Sequence, residues 1–521
     1  MQPAVHAAVR LGAACPASPV ARFGTVLLIS GRDFLKRSFS STTSLRRKQH
    51  MSSPSLLPTA LSQTALRSNT VLRTTARWLS FSPTTSSSSP VTPLDDSVAN
   101  MGSLGESAPY RVLVIGGAYA GLSAALSICD MAAGRPARTS GEPIKAKTPL
   151  ANGVDVTIVD ERDGYYHLIG TPLALASNEY AEKAWVRYAD VGALQRPNIR
   201  VVQGSAQSVD PTARKALILK SGCDKPVETE YDYLIAASGL RRVWPVVPQA
   251  LTRKQYLVEA ADHIKKVSEG KHGVVVVGGG AVGIEMATEL KVVHPHLKVT
   301  LVHSRDRLLS AEDLPDEMKV RTLALVQEQG VEVLLERRLD SAVTVKTEDG
   351  SEAEEITFTN GEKLLTSNVI MAISRSVPTG SGYLPKAALD KEGLVKVSGS
   401  MNFPAEVPNS DRHFACGDMV SWSGIKRCGG AMHMGWAAAN NLYEAMLKES
   451  DPTHEKDVVV LERWPSMIGL AVGKTAIASG PTGTRDGDET AKMFFEDDLG
   501  FGICWRHMAL FGDKDLKPTA A

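Results

Sequence analysis

The chain has 521 residues, 43% of them apolar, and a formal net charge of +1. This apolar content is too large for one ordinary core and suits two or three domains that share an interior. The charge is uneven: residues 1–94 carry eleven Lys or Arg and one acid, Asp33, which leaves 47 basic and 56 acidic residues for the rest. Because an acidic body repels phosphate backbones, we expect no nucleic-acid partner.

Residues 1–100 form a segment rich in Ser, Thr, Arg and Ala and nearly devoid of acids. Such composition is typical of a transit peptide, so we expect this segment to be disordered and the protein to be mitochondrial. Residues 37–41 and 77–80 resemble processing sites. The alternative is that translation starts at Met101, in which case the protein is cytoplasmic.

Cysteine spacing and hydropathy indicate what the rest of the chain lacks. The six cysteines show no CxxC and no metal-ligand spacing, so we expect no metal site. No apolar run reaches the roughly 18–20 residues that a membrane helix needs. Peripheral membrane contact stays open, and the sequence does not indicate the oligomeric state.

The first nucleotide-binding pattern begins with a β-branched run at 111–115 and continues into a helical stretch at 122–132. Between them lies a glycine-rich turn, and we expect its backbone to hold a pyrophosphate at the helix N-terminus. The residues of this turn are Gly116, Gly117, Ala118, Tyr119, Ala120 and Gly121. Ala118 stands where the second fingerprint glycine usually lies. Asp160, which ends the next predicted strand at 154–159, is the expected acceptor for a ribose hydroxyl.

A second and more complete pattern follows a valine strand, with a predicted helix at 284–290. Gly278, Gly280 and Gly283 fill all three fingerprint positions. The next strand ends in His303, Ser304 and Arg305, where enzymes that use NADH normally carry an acid. Arg305, assisted by His303, is therefore a candidate partner for the 2′-phosphate of NADPH, although NADH stays open.

Two further segments indicate that the first nucleotide is FAD. The predicted strand at 231–239 ends in a small-residue turn at Gly239, and Gly417 and Asp418 follow a strand after the second fold. Asp418 is the expected acceptor for a ribityl hydroxyl of FAD. A glycine-rich stretch at 429–435 precedes a predicted helix at 436–446, and His433 is a candidate for a place beside the flavin ring.

These patterns predict an α/β fold with two Rossmann-like dinucleotide-binding domains, the FAD domain being interrupted by an NAD(P)H domain, and a small C-terminal α+β segment. The expected boundaries are 1–100 for the transit segment, 108–250 and 374–446 for the FAD domain, 251–373 for the NAD(P)H domain and 447–521 for the C-terminal segment.

The order of these motifs resembles the apoptosis-inducing-factor-like FAD-dependent oxidoreductases, in particular the AMID and ferroptosis-suppressor group and its fungal relatives. Type II NADH dehydrogenases are similar. The most specific matches are residues 160–167, 174–176, 182–185 and 497–505. The resemblance implies oxidation of NAD(P)H with a quinone-like acceptor. It also places Glu285 near the contact between nicotinamide and flavin, with Lys183 as a candidate ion-pair partner.

We therefore expect FAD and NAD(P)H as cofactors and a quinone reductase as the function. Two alternatives stay open: a tailoring oxidoreductase that acts on a small metabolite, and a death-effector or interaction protein in which FAD is structural. Gly473, which resembles the end of a phosphate loop, lacks the required spacing to an earlier glycine. The aromatic tail is expected to pack in the core rather than to dock on a membrane or a quinone; its residues are Phe494, Phe495, Phe501, Trp505 and Phe511.

Overall fold

The computed structural model describes residues 108–138, 147–373 and 376–512. The predicted transit segment and the alternative start at Met101 lie outside these residues. In the described part of the chain, no helix is both long and apolar enough to cross a bilayer.

The first part of the fold contains most of a large sheet. Its elements are β1 (Tyr110–Ile115), α1 (Tyr119–Ala132), β2 (Val154–Asp160), β3 (Gly164–Tyr166), α2 (Thr171–Ala174), α3 (Asn178–Ala184), β4 (Trp185–Arg187), β5 (Ile199–Asp210), β6 (Lys215–Lys220), β7 (Val227–Glu230), β8 (Tyr233–Ala236) and β9 (Leu240–Arg241).

The second part carries its own parallel sheet. Its elements are α4 (Arg253–Ser268), β10 (Val274–Val277), α5 (Ala281–Val293), β11 (Val299–Val302), α6 (Asp316–Glu328), β12 (Glu332–Leu334), β13 (Leu339–Lys346), β14 (Glu352–Phe358), β15 (Lys363–Thr366) and β16 (Asn368–Met371). The parallel order is β12-β11-β10-β16, and β13, β14 and β15 form a separate antiparallel sheet.

The chain then returns to the first sheet. The remaining elements are β17 (Val377–Pro378), β18 (His413–Ala415), α7 (Cys428–Ser450), β19 (Ile468–Val472), β20 (Thr475–Gly480), β21 (Gly483–Asp486), α8 (Asp488–Phe494) and α9 (Phe501–His507). β18 pairs in parallel with β8, which completes a seven-stranded sheet of order β18-β8-β1-β2-β5-β6-β7. β9, which leaves the first fold, pairs with β17, which re-enters it. The first nucleotide fold is thus interrupted by the second, as the motif order predicts.

Both parallel sheets are formed by almost continuous runs of buried apolar residues. All four residues of β10 are valines and all are buried, because helices and neighbouring strands cover both faces of the sheet. The carboxyl ends of β1 and β10 each lead directly into a helix, and this position is where open α/β sheets bind their ligands.

The C-terminal part packs most of the aromatic tail against the first two parts. Phe495 is buried, Phe501 stacks on Trp505 with 5.5 Å between ring centroids, and Phe494 lines a cavity. Phe511, at the end of the described residues, is 39% exposed.

One predicted helix is much longer than the sequence suggested. α7 begins at Cys428 rather than at residue 436, so the glycine-rich stretch is helical. Because glycine is a poor helix former, the sequence predicted residues 429–435 to be a loop that precedes the helix. Here Gly435 is required by packing, because a Cβ at this position would lie 2.3 Å from the carbonyl oxygen of Ala120 in α1. The bond from Ser123 Oγ to the Met432 carbonyl, 2.7 Å long, also ties α1 to α7.

Candidate active site

The turn between β1 and α1 brings the backbone close to any ligand at the helix N-terminus. Gly116 has φ of +111°, and a Cβ at Gly121 would lie 1.7 Å from the Gly116 carbonyl oxygen. Neither position therefore accepts a larger residue. Ala118 is the N-cap of α1 with φ of −97°, a conformation that alanine adopts without strain, which explains why the fingerprint tolerates it.

Asp160, the last residue of β2, lies beside the glycine turn of the first nucleotide fold. Its carboxylate accepts hydrogen bonds from the backbone N–H groups of Gly117, at 2.7 Å, and of Arg162, at 2.8 Å. Burial raises the pKa of Asp160 even though both bonds favour its charged form. The tyrosine hydroxyl of Tyr188, a residue that the sequence analysis missed, donates to the Gly117 carbonyl over 2.9 Å.

A large cavity of about 1750 Å³, which we call the central cavity, joins the first nucleotide site to the start of α5. The predicted residues Gly278, Gly280, Gly283, Ser304 and Arg305 of the second fold do not line it. The cavity exceeds the 300–1,000 Å³ that is typical of pockets for one small ligand. The predicted residues in its wall are Gly117, Ala118, Tyr119, Ala120, Asp160, Gly239, Glu285, Gly417, Asp418 and His433. Residues 427–431, at the start of α7, and residues of β19 complete the wall.

Another part of the central cavity wall is formed by Gly417 and Asp418, which follow β18 where the chain rejoins the first sheet. Gly417 has φ of +79°, and a Cβ there would lie 2.9 Å from Ala120 Cβ. Asp418 forms an ion pair with Arg242, with 3.4 Å between Oδ2 and Nη2. The first turn of α7 directs its N–H groups and the positive end of its dipole toward the same space.

The chemistry of the wall fits an FAD molecule. Buried polar atoms normally have a hydrogen-bond partner, yet Arg162 Nε and His433 Nδ1, on two residues that line the cavity, have none among the described residues. A dinucleotide supplies pyrophosphate, hydroxyl and ring acceptors along its whole length. Asp160 would hold the ribose end, Asp418 the ribityl chain and the start of α7 the flavin ring, and the bound FAD would supply two-electron redox chemistry.

His433 keeps its imidazole ring neutral in this position. Burial first, and then the nearby Arg427 and His507, lowers its pKa to about 4. The ring packs against Trp436, with 5.1 Å between centroids. His433 is therefore a neutral polar group at the cavity wall at neutral pH.

The second glycine turn repeats the construction of the first. Gly278 has φ of +128°, and a Cβ at Gly283 would lie 1.8 Å from the Gly278 carbonyl oxygen. Gly280 is the N-cap of α5 and has no neighbouring heavy atom within 4 Å of the place a Cβ would take, so a ligand can approach its backbone.

His303 has a different role from the one that the sequence suggested. Its Nδ1 accepts the N–H of Gly279 over 3.1 Å, and its Nε2 contacts Ser310 Oγ at 2.9 Å. A ring that accepts at Nδ1 and donates at Nε2 is neutral, so His303 does not assist Arg305 as a second cation. It takes the place that Asp160 has in the first fold, because Asp160 accepts the corresponding Gly117 N–H. Ser304 and Arg305 are exposed beyond the end of β11.

Glu285, on the second turn of α5, lines the central cavity together with Ala281 and Val282 of the same helix. Burial raises its pKa to about 8, opposed by one hydrogen bond from the Ala471 N–H at 3.4 Å. Burial also raises the pKa of Glu289, one turn further along, to about 8. Glu285 is therefore a protonated acid at neutral pH, held between α5 and β19.

The pairing of Lys183 with Glu285 that the resemblance implied is wrong. Lys183 Nζ forms an ion pair with Asp498 Oδ2 at 2.7 Å and lies 5.2 Å from the centroid of the Phe501 ring. Its side chain is 46% exposed, and it is not part of the cavity wall. The physical reason is position: Lys183 lies in the last turn of α3, where its ion-pair partner, Asp498, comes from the C-terminal part. Lys183 thus connects α3 to the C-terminal part, outside the wall of the central cavity.

Sequence patterns could not reveal several residues of this site. Tyr188 is separated by 71 positions from the turn that it contacts, and no local motif marks Arg242 or Arg427. Arg162 could have been found, because it stands two residues after the predicted acid. Among the residues that the structure describes, no three His, Cys, Asp or Glu side chains cluster as metal ligands would.

Comparisons with known proteins agree with this geometry. Residues 110–435 match the family described as pyridine nucleotide-disulphide oxidoreductase. Oxidoreductase OXR1 of Ajellomyces capsulatus is 48% identical over 426 residues, which cover 79% of this chain and 91% of that protein. Ferroptosis suppressor protein 1 of Xenopus tropicalis is 22% identical over 274 residues, 52% of this chain and 64% of its own length.

Among solved structures, a NAD-dependent persulfide reductase from A. fulgidus is similar, with a TM-score of 0.53 and 21% identity. The match covers 73% of this chain and 65% of that one, and at this identity it concerns the fold alone. The fold, the two glycine turns and the family match lead to one conclusion. The chain belongs to the pyridine nucleotide-disulphide oxidoreductase family and is an NAD(P)H-dependent flavin oxidoreductase with FAD as its cofactor.

Proposed function

We propose that the enzyme passes electrons from NAD(P)H through FAD to a quinone-like acceptor. The observation that carries this proposal is the shared cavity: Glu285 of the second nucleotide fold lines the same space as Asp160 and Asp418 of the first. A nucleotide bound along α5 is thus directed toward the flavin position, which is the alignment that hydride transfer needs.

The acceptor would occupy the apolar end of the central cavity. This end is defined by Trp464, Met467, Ile468, Phe494 and Phe495, all of which line the cavity. A flat apolar molecule with two carbonyl oxygens suits such walls, because aromatic and aliphatic side chains contact its faces.

The chain's own residues would supply charge stabilisation and a proton. Reducing a quinone to a hydroquinone takes two electrons and two protons. Glu285 holds a proton at neutral pH and is bonded to β19, whose first residue, Ile468, lines the apolar end. The N–H groups at the start of α7, with Arg427 beside them, stabilise negative charge on the cofactor.

A comparison of two phenylalanine variants tests the acceptor assignment. Steady-state NADPH oxidation by the flavin-loaded enzyme is measured with and without a short-chain ubiquinone analogue. We expect the quinone to accelerate turnover, and Phe494→Ala to raise the KM for the quinone while leaving flavin reduction by NADPH unchanged. Phe511→Ala, a change outside the cavity, is the control.

Other outcomes identify the alternatives. Turnover that is independent of quinone would favour a tailoring oxidoreductase acting on a small metabolite. Bound flavin that NAD(P)H does not reduce would favour a structural cofactor in an interaction protein.

A further inference from the structure

His167 is a fully buried histidine whose two ring nitrogens contact different parts of the chain. None of its surface is exposed, and the residue itself does not line the central cavity. It directly precedes Leu168 and Ile169, which do line the cavity. A buried polar ring in this position connects parts of the cavity wall that are far apart in sequence.

The Nδ1 side of the ring faces the first nucleotide fold. The hydroxyls of Tyr119 and Tyr165 lie 3.2 and 3.1 Å from Nδ1. Tyr119 is the first residue of α1, at the glycine turn, and lines the central cavity. Its hydroxyl accepts the Ile169 N–H over 3.3 Å, which leaves its own proton for Nδ1. We call the bond from Tyr119 to Nδ1 the flavin-side contact.

The Nε2 side of the ring faces the C-terminal part. Because a carbonyl can only accept, Nε2 donates to the Leu499 carbonyl over 3.0 Å. Leu499 belongs to a tight turn: its φ is +47°, and the Gly500 N–H donates to the Phe495 carbonyl over 2.6 Å. Phe495 lines the apolar end of the central cavity. We call the bond from Nε2 to Leu499 the C-terminal contact.

The two contacts depend on each other through the single ring proton. Burial lowers the pKa of His167 to about 4, so the ring is neutral at neutral pH. A neutral imidazole has one donor nitrogen and one acceptor nitrogen. A proton on Nδ1 would leave Nε2 facing a carbonyl with no hydrogen between them. Fixing one side of the ring therefore fixes the tautomer that the other side requires.

Close packing leaves the ring little freedom to turn. The Phe501 ring stands edge to face with it, with 5.4 Å between centroids. On another side, a Cβ at Gly170 would lie 2.6 Å from His167 Cδ2. A close-packed interior transmits a displacement rather than absorbing it. A shift of the ring at Nδ1 is therefore passed on to Nε2.

We propose that His167 is a positioning residue that couples the FAD site to the apolar end of the central cavity. FAD at the glycine turn fixes Tyr119, the flavin-side contact fixes the ring, and the C-terminal contact fixes the turn that carries Phe495. By linkage, the wall position that bound FAD favours also favours FAD binding, by the same factor. The coupling goes beyond electron transfer to a quinone, and only its effect on the quinone KM rests on the proposed function.

Two variants of the full-length protein, each lacking one contact, test the coupling. His167→Asn keeps an acceptor near the position of Nδ1 but loses the C-terminal contact, whereas His167→Gln keeps an amide donor near the position of Nε2 but loses the flavin-side contact. The FAD dissociation constant is measured by fluorescence titration after removal of the flavin, and the KM for a short-chain ubiquinone analogue is measured at saturating FAD. We expect both variants to raise both constants about fivefold, the factor of one neutral hydrogen bond, while the rate of flavin reduction by NADPH stays unchanged.

A purely structural role gives a different pattern. If each variant raised only the constant of the end whose contact it removes, or if neither constant changed, the coupling would be rejected. His263→Asn is the control, because burial also lowers the pKa of His263 to about 4, yet neither His263 nor Trp244, against which it packs, lines the cavity. It should leave both constants unchanged; an equal rise in the control would mean general destabilisation and would also reject the coupling.

The FAD titration separates this inference from the proposed function, since it needs no acceptor. If the quinone does not accelerate turnover of the wild type, the proposed function is rejected, and the FAD dissociation constant of His167→Asn decides the coupling alone. An unchanged constant overturns it, because the flavin-side contact is kept in this variant. If either histidine variant fails to fold, Tyr119→Phe, which removes the hydroxyl of the flavin-side contact, takes its place and should raise the quinone KM.

Discussion

Asp160 and Glu285 are two half-buried acids that line the central cavity and differ in what surrounds them. Asp160 accepts two short backbone hydrogen bonds, whereas Glu285 accepts one long bond from Ala471. Each oxygen of the Asp160 carboxylate accepts one backbone N–H, Oδ2 from Gly117 and Oδ1 from Arg162, and both bonds favour its ionised form. Glu285 faces open cavity, so it is the group that can hold and release a proton.

The first prediction concerns the pH dependence of Glu285. Below about pH 8 the carboxyl is protonated and can donate; above this value it is ionised. Quinone-dependent turnover should therefore fall as pH rises through about 8. Glu285→Gln should be about 100-fold slower and should lack this limb of the profile.

Glu289→Gln is the matched control, because Glu289 has a similarly raised pKa on the same helix but does not line the cavity. Glu289→Gln should keep the fall in quinone-dependent turnover above about pH 8. If the limb persists in Glu285→Gln and vanishes in Glu289→Gln, the assignment of the proton donor is wrong.

The second prediction concerns the choice of nucleotide at the end of β11. Arg305 is exposed there, and His303 replaces the usual acid with a neutral ring. Arg305→Ala should lower kcat/KM for NADPH by about tenfold, the lower end of what a charged hydrogen bond contributes, and leave the value for NADH unchanged. Arg307→Ala is the control, since Arg307 is paired with Asp316 at 2.7 Å. An equal loss for both nucleotides in Arg305→Ala would argue against a 2′-phosphate contact.

At the scale of elements, α1 and α7 approach each other closely, and the first residues of both helices line the central cavity. Gly435 lets the two helices touch, since any Cβ would overlap Ala120 O. Gly435→Ala should lower the free energy of unfolding by roughly 1–3 kcal/mol, as overpacking does, measured by denaturant titration. Gly429→Ala is a control on the same helix, because a Cβ there meets only Arg427 Nη1 at 3.8 Å.

The control should be neutral or gain up to about 1 kcal/mol from helix propensity. Equal stability of the two variants would mean that the contact between α1 and α7 does not limit packing at this point.

Local patterns predicted the two nucleotide folds because each signal lies within a short stretch of chain. A valine strand, three glycines and a helix are adjacent at 274–293, so strand, turn and helix could be identified together. The full length of α7 could not be predicted, since its glycines are justified only by a contact with α1, more than 300 residues earlier. The partner of Lys183 was missed for the same reason: Asp498 is 315 positions away.

At the scale of the molecule, the interruption of one nucleotide fold by the other is what brings two cofactors together. β9 and β17 pair where the chain leaves and re-enters the first fold. This pairing joins the two connections between the first and the second nucleotide fold. The C-terminal part then completes the cavity wall with residues of β19 and with Phe494 and Phe495. Three separate stretches of sequence contribute to one site, and none of them could form it alone.

Anaerobic addition of NADPH to the purified full-length protein, followed by absorbance, tests this account most directly. We expect a yellow protein whose oxidised-flavin absorbance disappears in proportion to the NADPH added, with no other component required. A protein that stays colourless after incubation with excess FAD, or a yellow protein that NADPH and NADH both leave unbleached, would contradict it.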